Sequence, residues 1–234
     1  MIKELAVLGL MLIINFNVTY PQSLLINIDN KYAEELRIVD KIINERTKYL
    51  NINVTIPQIS GLGNKAREEE INNEIINFTN NFIEENRVAS EQNKPGFPYE
   101  SRVNYRVTNK EKILSFYIDY FQYSGGAHGI TIRKTYNIDV NTGKNVELRD
   151  LFKERFDYKA FINKEIEDQI NLNKEAYFPG KEGFTGIRDD QAFYIENGYL
   201  VIQFAYYEIA PYASGMPHFK IPYNALENYK PSSN

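Results

Sequence analysis

Cysteine is absent from the 234 residues. Its absence excludes thiol nucleophiles, cysteine-ligated zinc, iron–sulfur clusters and disulfides. Tryptophan is also absent, and His128 and His218 are the only histidines. A three-histidine metal site therefore cannot be built, no His-Glu-x-x-His occurs, and neither a metal nor another cofactor is expected. Positive charge is not in excess: 27 Lys and Arg stand against 31 Asp and Glu, a net charge of −4. That balance makes nucleic acid an unexpected partner. Neither a phosphate loop nor a G-x-S-x-G nucleophile elbow is present. No apolar run reaches the roughly 20 residues of a comfortable bilayer span.

What is present suits a folded protein: 43% hydrophobic and 25% charged residues, with 18 Tyr and 14 Phe. The longest apolar run, Leu5–Ile14, follows Met1-Ile2-Lys3-Glu4 and stops at Asn15-Phe16-Asn17. A short charged start and about ten apolar residues fit a secretory h-region. Residues 1–24 are therefore expected to direct export or tether the chain to a membrane. The other reading is a buried strand or helix of the fold. The sequons at Asn17, Asn53 and Asn77 are no more than chance allows in an Asn-rich chain, and an exported chain without cysteine points to a bacterial envelope.

Periodicity supplies the fold class. Lys31–Glu45 could be helical, and Tyr49–Ile56 alternates with period two, as a strand does. Asn64 can cap a helix from Lys65 to about Arg87, with Ile71, Ile75, Phe78 and Phe82 on one stripe. Residues 89–98, with Pro95-Gly96 and Pro98, read as a loop. Strands follow at Ser101–Val107, Ile113–Tyr123 and Thr131–Val140, then a turn at Asn141–Lys144 and a strand at Val146–Leu148. Asp150 can cap a second helix carrying Phe161, Ile162, Ile166 and Ile170. Asn197-Gly198 marks a hairpin between Ala192–Ile195 and Tyr199–Phe204, and Phe219–Pro222 is a last short strand. The expected class is α+β, an antiparallel sheet with helices packed on one face. Two closely associated halves are expected, 25–110 and 111–228, with a tail at 229–234.

Two segments stand out chemically. Tyr123-Ser124-Gly125-Gly126-Ala127-His128-Gly129 lies between two expected strands. Its glycines let backbone approach a ligand, His128 could act as a base and Ser124 as a nucleophile. The plainer reading is a glycine-rich turn with a structural histidine. The second segment, Ala205–Gly215, carries Tyr206, Tyr207, Glu208, Pro211 and Tyr212. Exposed Tyr offers contact area at low entropic cost, whereas rings packed on a sheet would leave only hydroxyls at the rim. Both loops are expected at one end of one antiparallel sheet, with His128 within reach of Tyr207 or Tyr212. Glu208 with Asp119 or His128 could form the acid–base pair of a carbohydrate hydrolase. The acidic clusters Glu68–Glu70, Glu84-Glu85 and Glu165–Asp168 read as solvated helix faces, and Asp189-Asp190 as a cap or cation site.

Tyr-Ser-Gly-Gly-Ala-His at 123–128 and Tyr-Glu-Ile-Ala-Pro-Tyr-Ala-Ser-Gly at 207–215 resemble the extracytoplasmic domain of RsiV-like anti-sigma factors. The same domain resembles the non-catalytic N-terminal region of the peptidoglycan deacetylase PdaC. Ile56–Leu62 with Asn64, Ile71-Asn72, Asp150-Leu151-Phe152, Ile162-Asn163, Gln191–Ile195 and Phe219–Pro222 extend the likeness over about residues 40–225. The resemblance implies a two-part α+β module of the cell envelope that binds a ligand without transforming it. The implied ligand is a protein such as lysozyme, or cell-wall glycan. Only four residues precede the apolar run, so a cytoplasmic sigma-binding segment is not expected, and neither is a deacetylase domain after residue 225. The implied binding residues are Ser124, Gly125, Gly126, His128, Tyr207, Glu208, Pro211 and Tyr212. The alternative is a hydrolase or deacetylase-related enzyme acting on envelope polysaccharide.

Overall fold

The computed structural model describes residues 35–226. The export or tethering segment and the tail lie outside the described residues. So do residues 31–34 of the expected first helix, and the remainder of that segment is a strand. β1 (Arg37–Arg46) pairs antiparallel with β2 (Leu50–Ser60). Ile38, Val39, Ile42 and Ile43 are β-branched, and the full ladder offered by β2 outweighs the weak helical periodicity. Thr47 closes the turn: its Oγ1 accepts from the N–H groups of Tyr49 and Leu50 at 3.2 and 3.0 Å.

Helix α1 (Lys65–Asn93) begins where Asn64 accepts from the N–H of Arg67. Glu68 accepts from the N–H of Leu62 at 2.8 Å, tying the incoming loop to the positive helix end. The helix runs six residues beyond the expected end, because Ser90 is fully buried against the sheet and extends the packed stripe. Lys94 then stops it in the left-handed region. α1 is the crossover that allows β3 (Tyr99–Lys110) to lie parallel to β2, the one parallel pair among the described residues. β4 (Ile113–Tyr123) and β5 (Ile130–Asp139) complete a five-stranded sheet in the order β1-β2-β3-β4-β5.

One face of this sheet carries α1. Leu50, Val54, Ile75, Val103, Leu114, Phe116, Ile118 and Tyr120 are fully buried there. Each such aliphatic side chain contributes about 1.5–3 kcal/mol by leaving water. The Tyr120 ring lies edge-on to Phe78 and Phe82, its hydroxyl 3.2 Å from Thr79 Oγ1. Burial pushes that phenol up to about 12.

Val146–Leu148 does not form the expected strand. After the turn a single bridge joins Ile138 to Asn145, and Leu148–Leu151 is a 3-10 turn. Asp150 belongs to that turn, its carboxylate accepting from the N–H of Glu147 at 2.9 Å. Helix α2 (Tyr158–Asn171) starts later and is capped by Asp157. Buried Phe152 occupies the intervening segment and stacks on Phe156 and Tyr158. β6 (Phe193–Glu196), β7 (Tyr199–Gln203) and β8 (His218–Pro222) form a second, antiparallel sheet over Ile162 and Ile166 of α2. Asn197 and Gly198 have φ of 48° and 79° and turn the β6–β7 hairpin as their dipeptide foretells.

Two buried side chains lock the sheets together. Ser115 of β4 accepts from the N–H of Ile195 at 2.9 Å, and Asn137 of β5 donates to the carbonyl of Phe193 at 2.8 Å. The Ser115 hydroxyl also bonds the Asn137 amide oxygen.

Candidate functional site

The β4–β5 ladder ends at the Gln122–Ile130 pair, and residues 124–129 form the connecting loop. Gly125 and Gly126 have φ of 105° and 91°, values that L side chains rarely adopt. Gly129 is needed for space: a Cβ there would lie 2.4 Å from the Phe121 ring. The chain is thereby turned so that His128 stands exposed at the rim. Ser124 is exposed and, among the described residues, makes no side-chain hydrogen bond to His128.

Ala205–Gly215 forms the opposing loop. Glu208 organises it by accepting from the N–H of Ala205 at 2.7 Å while pairing with Arg188. Tyr207 sits in the left-handed region at φ 63°, a strained setting for an aromatic residue that projects its ring outward, half exposed. Pro211 starts the short 3-10 turn that carries Tyr212.

The two loops meet. His128 stacks on Tyr212 at 3.7 Å and 13°, and Tyr212 stacks on Tyr206 at 4.6 Å and 19°. The Tyr207 hydroxyl lies 3.3 Å from His128 Nε2, and its ring is 5.7 Å from that of Tyr212. Tyr212 donates to the carbonyl of Gly129 at 2.8 Å, the carbonyl that also faces His128 Nδ1 at 3.1 Å. A carbonyl only accepts, so His128 Nδ1 is the donor in this contact. The result is a ledge of four rings with Tyr207 and His128 exposed.

The proximity of the loops has a different origin from the expected one. β4 and β7 are not neighbours in one sheet; they belong to different sheets. The Ser115–Asn137 lock and the 3.2 Å bond from Arg133 to Gln203 bring the strand ends together. Arg133 is a residue that pattern reading missed. It grips Asp119 with two 2.7 Å hydrogen bonds and lies 3.8 Å from the centre of the Tyr117 ring. Burial alone would lower its pKa, but Asp119 outweighs that and holds it above the ordinary guanidinium value. Strand alternation was the available signal, since it places Tyr117, Asp119 and Arg133 on the face away from α1. Tyr206, outside the set of implied binding residues, joins the stack. Burial raises its phenol, with Tyr212 adding to the effect. Among the described residues no group of three His, Asp or Glu is placed to hold a metal. Asp189 and Asp190 pair instead with Lys159 and Arg188.

Two family models match in tandem: "Deacetylase PdaC" over residues 43–131 and "Protein of unknown function (DUF3298)" over residues 149–224. The ring ledge joins them, with His128 in the first match and the tyrosines in the second. The anti-sigma-V factor RsiV of Bacillus subtilis (strain 168) is 30% identical over 202 residues, 80% of this chain and 67% of that protein. The peptidoglycan-N-acetylmuramic acid deacetylase PdaC of the same organism is 30% identical over 122 residues, 47% of this chain and 25% of that protein. The match thus spans only about a quarter of the deacetylase. Among solved structures, a DUF3298 family member from Bacteroides fragilis superposes with a TM-score of 0.64 at 19% identity, covering 86% of this chain and 96% of the other. A DUF3298 family protein from Pseudomonas aeruginosa PAO1 gives 0.52 at 17%, covering 85% and 94%. These two similarities bear on the fold alone and agree with its α+β class. With RsiV 30% identical over two thirds of its length, and two family models matching in tandem, the chain belongs to the RsiV-like family.

Proposed function

We propose that this chain is an extracytoplasmic ligand-binding or sensor module of the bacterial cell envelope. Its ring ledge contacts a protein ligand such as lysozyme and catalyses nothing itself. The observation that carries this reading is the ledge of Tyr206, Tyr212, His128 and Tyr207, built by two loops on rigid sheets and left exposed at its tip. Large rings held in place lose little entropy on docking and commonly supply the dominant contacts of an interface. Gly125 and Gly126 shape the adjoining wall with Ser124, and Glu208 and Pro211 hold the tyrosine loop. RsiV is an anti-sigma factor and PdaC acts on peptidoglycan, which suits a module facing the envelope.

The hydrolase reading has less support. Each carboxylate it would use is already engaged: Asp119 by Arg133, Glu208 by Arg188 and the N–H of Ala205. A second reading of the ledge itself, cell-wall glycan, draws on the same rings, which would also take a sugar face. Export through residues 1–24 belongs to the proposal. Among the described residues no helix is long and apolar enough to cross a membrane.

The test is a binding titration against lysozymes and soluble peptidoglycan fragments. Tyr207→Ala is expected to weaken the ligand by about 2 kcal/mol or more with little change in melting temperature. Retention of neither ligand, or equal binding by Tyr207→Ala, would overturn the assignment of the ledge.

A further inference from the structure

Two ring clusters meet the glycine loop, and they share no member. The ledge takes His128 from the end of the loop. At its start, Tyr123 stacks on Phe97 with ring centres 6.0 Å apart and 26° between planes, and Phe97 lies 6.5 Å from the buried Tyr99. The Tyr123 hydroxyl donates to the carbonyl of Gly126 at 3.0 Å, which ties this second cluster to the main chain of the loop. Phe97 also approaches Gly125 itself: a Cβ there would stand 3.2 Å from the edge of its ring. These contacts do not bury it. Phe97 is 46% exposed, close to the 49% of Tyr207, and Ile130, the first residue after the loop, is 41% exposed. The ring is also held in place. Lys94 ends α1 in the left-handed region, and Pro95-Gly96-Phe97-Pro98 follows. Pro98 confines Phe97 to extended backbone, because the proline ring clashes with the helical alternative. β3 then starts at Tyr99, whose hydroxyl accepts from Asn93 at 3.2 Å and closes the connection from α1.

We propose that Phe97 is a second anchor of the ledge's interface, and that the partner is a folded protein whose groove takes the glycine loop between the two ring clusters. The inference rests on the reading of the ledge as a ligand site. Three observations carry it. First, the surface is continuous. Phe97 packs on Tyr123 and Gly125 at the start of the loop, His128 packs on Tyr212 at its end, and Ser124, Gly126, Ala127 and His128 are exposed between and beside them. Second, the middle of the loop is bare. A Cβ at Gly126 would meet nothing within 4 Å, so a partner can close on the main chain there. Third, the flank that Phe97 adds is apolar. A sugar needs hydrogen-bonding side chains around a ring face, whereas Phe97 and Ile130 offer a ring and an aliphatic chain. Rings pinned on either side of an exposed loop suit a partner with two walls, and a protein groove supplies both. Anchors already fixed by packing and by proline lose little freedom when they dock.

The test titrates the full chain with a c-type lysozyme as the protein probe and the N-acetylglucosamine tetramer as the sugar probe. Phe97→Ala is expected to weaken lysozyme about tenfold or more. Ile42→Ala, at an exposed apolar residue of β1, should leave it unchanged. Phe97 and Tyr207 share no ring contact, so the losses of the two single variants should multiply in the double variant. A second measurement needs no variant: lysozyme should protect the amides of Gly96 and Phe97 from hydrogen exchange together with those of Gly125 and Gly126. Full binding by Phe97→Ala with Tyr207→Ala impaired, or protection confined to the tyrosine loop, would overturn this inference and leave the ledge reading standing. Altered His128 resonances in free Phe97→Ala would show the ring acting through the loop and overturn its role as a contact. Tetramer binding that depends on Phe97 would overturn the choice of a protein. No binding of either probe by the unaltered chain would overturn the ledge reading and this inference with it.

Discussion

The two sheets, each with its own core, are stabilised in different ways; β4 and β5 belong with the first, so residue 110 does not divide them. The first is built from long strands and one long helix, and its core is mostly aliphatic, with Leu50, Val54, Ile75, Val103 and Ile118 fully buried. Strands of ten to twelve residues set its register. The second has strands of four or five residues and an aliphatic core framed by rings: Phe152, Phe156, Tyr158 and Phe161 at one end, Tyr177, Phe184, Phe204 and Phe219 at the other. Short ladders specify little, so ring packing carries the specificity there. Regular structure is therefore legible around the first sheet, and irregular loops such as Ala205–Gly215 are supported around the second.

Four perturbations would sharpen or break this contrast. The largest effect is expected at Phe219, 1% exposed and in ring contact with both Tyr177 and Phe204. Phe219→Ala should cost about 3–5 kcal/mol in denaturant unfolding. A loss near 1 kcal/mol would mean that the framing rings contribute little to the second core. The junction comes next. Asn137→Ala leaves the Phe193 carbonyl buried without its donor and removes a partner of Ser115. A cost of about 1–3 kcal/mol is expected, with a lower denaturant slope if the two sheets then unfold separately. An unchanged slope together with an unchanged midpoint would show that the lock does not couple them.

Smaller effects test the site and the surface around the first sheet. Gly125→Ala places a Cβ at φ 105°, 3.2 Å from the Phe97 ring, and should cost about 1–2 kcal/mol. Its imprint on the His128 resonances would report whether this loop sets the ledge; silent His128 signals would break that link. The smallest effect concerns Glu45, whose carboxyl is held below its ordinary value of 4.5 by hydrogen bonding to Arg87. A depressed pKa in the folded state adds stability above the ordinary value, and that stability is lost as pH falls through the folded one. The pair is about a third exposed on each side, so screening limits it to about 0.5 kcal/mol. Glu45→Gln should be slightly less stable at neutral pH, and the gap should close as the pH drops below 4.5. A gap that widens on acidification would contradict the sign.

Much was determined by the sequence itself. The Asn64 cap and the Ile71, Ile75 and Phe82 stripe specify α1, because capping and helical period are local. Asn197-Gly198 specifies the β6–β7 hairpin, because few other residues tolerate its backbone angles. The glycine and tyrosine loops stood out by composition alone. Tertiary structure decided the rest. β1 is a strand because β2 lies beside it, and Val146–Leu148 is not one because no ladder continues past the Ile138–Asn145 bridge. His128 and Tyr212 come into contact because Ser115 and Asn137 hold two separate sheets at one junction. Caps, turns and periods depend on a few neighbouring residues and can be read along the chain. The ledge and the Arg133–Asp119–Tyr117 cluster depend on residues up to about 80 positions apart, whose meeting is set by the packing of whole sheets.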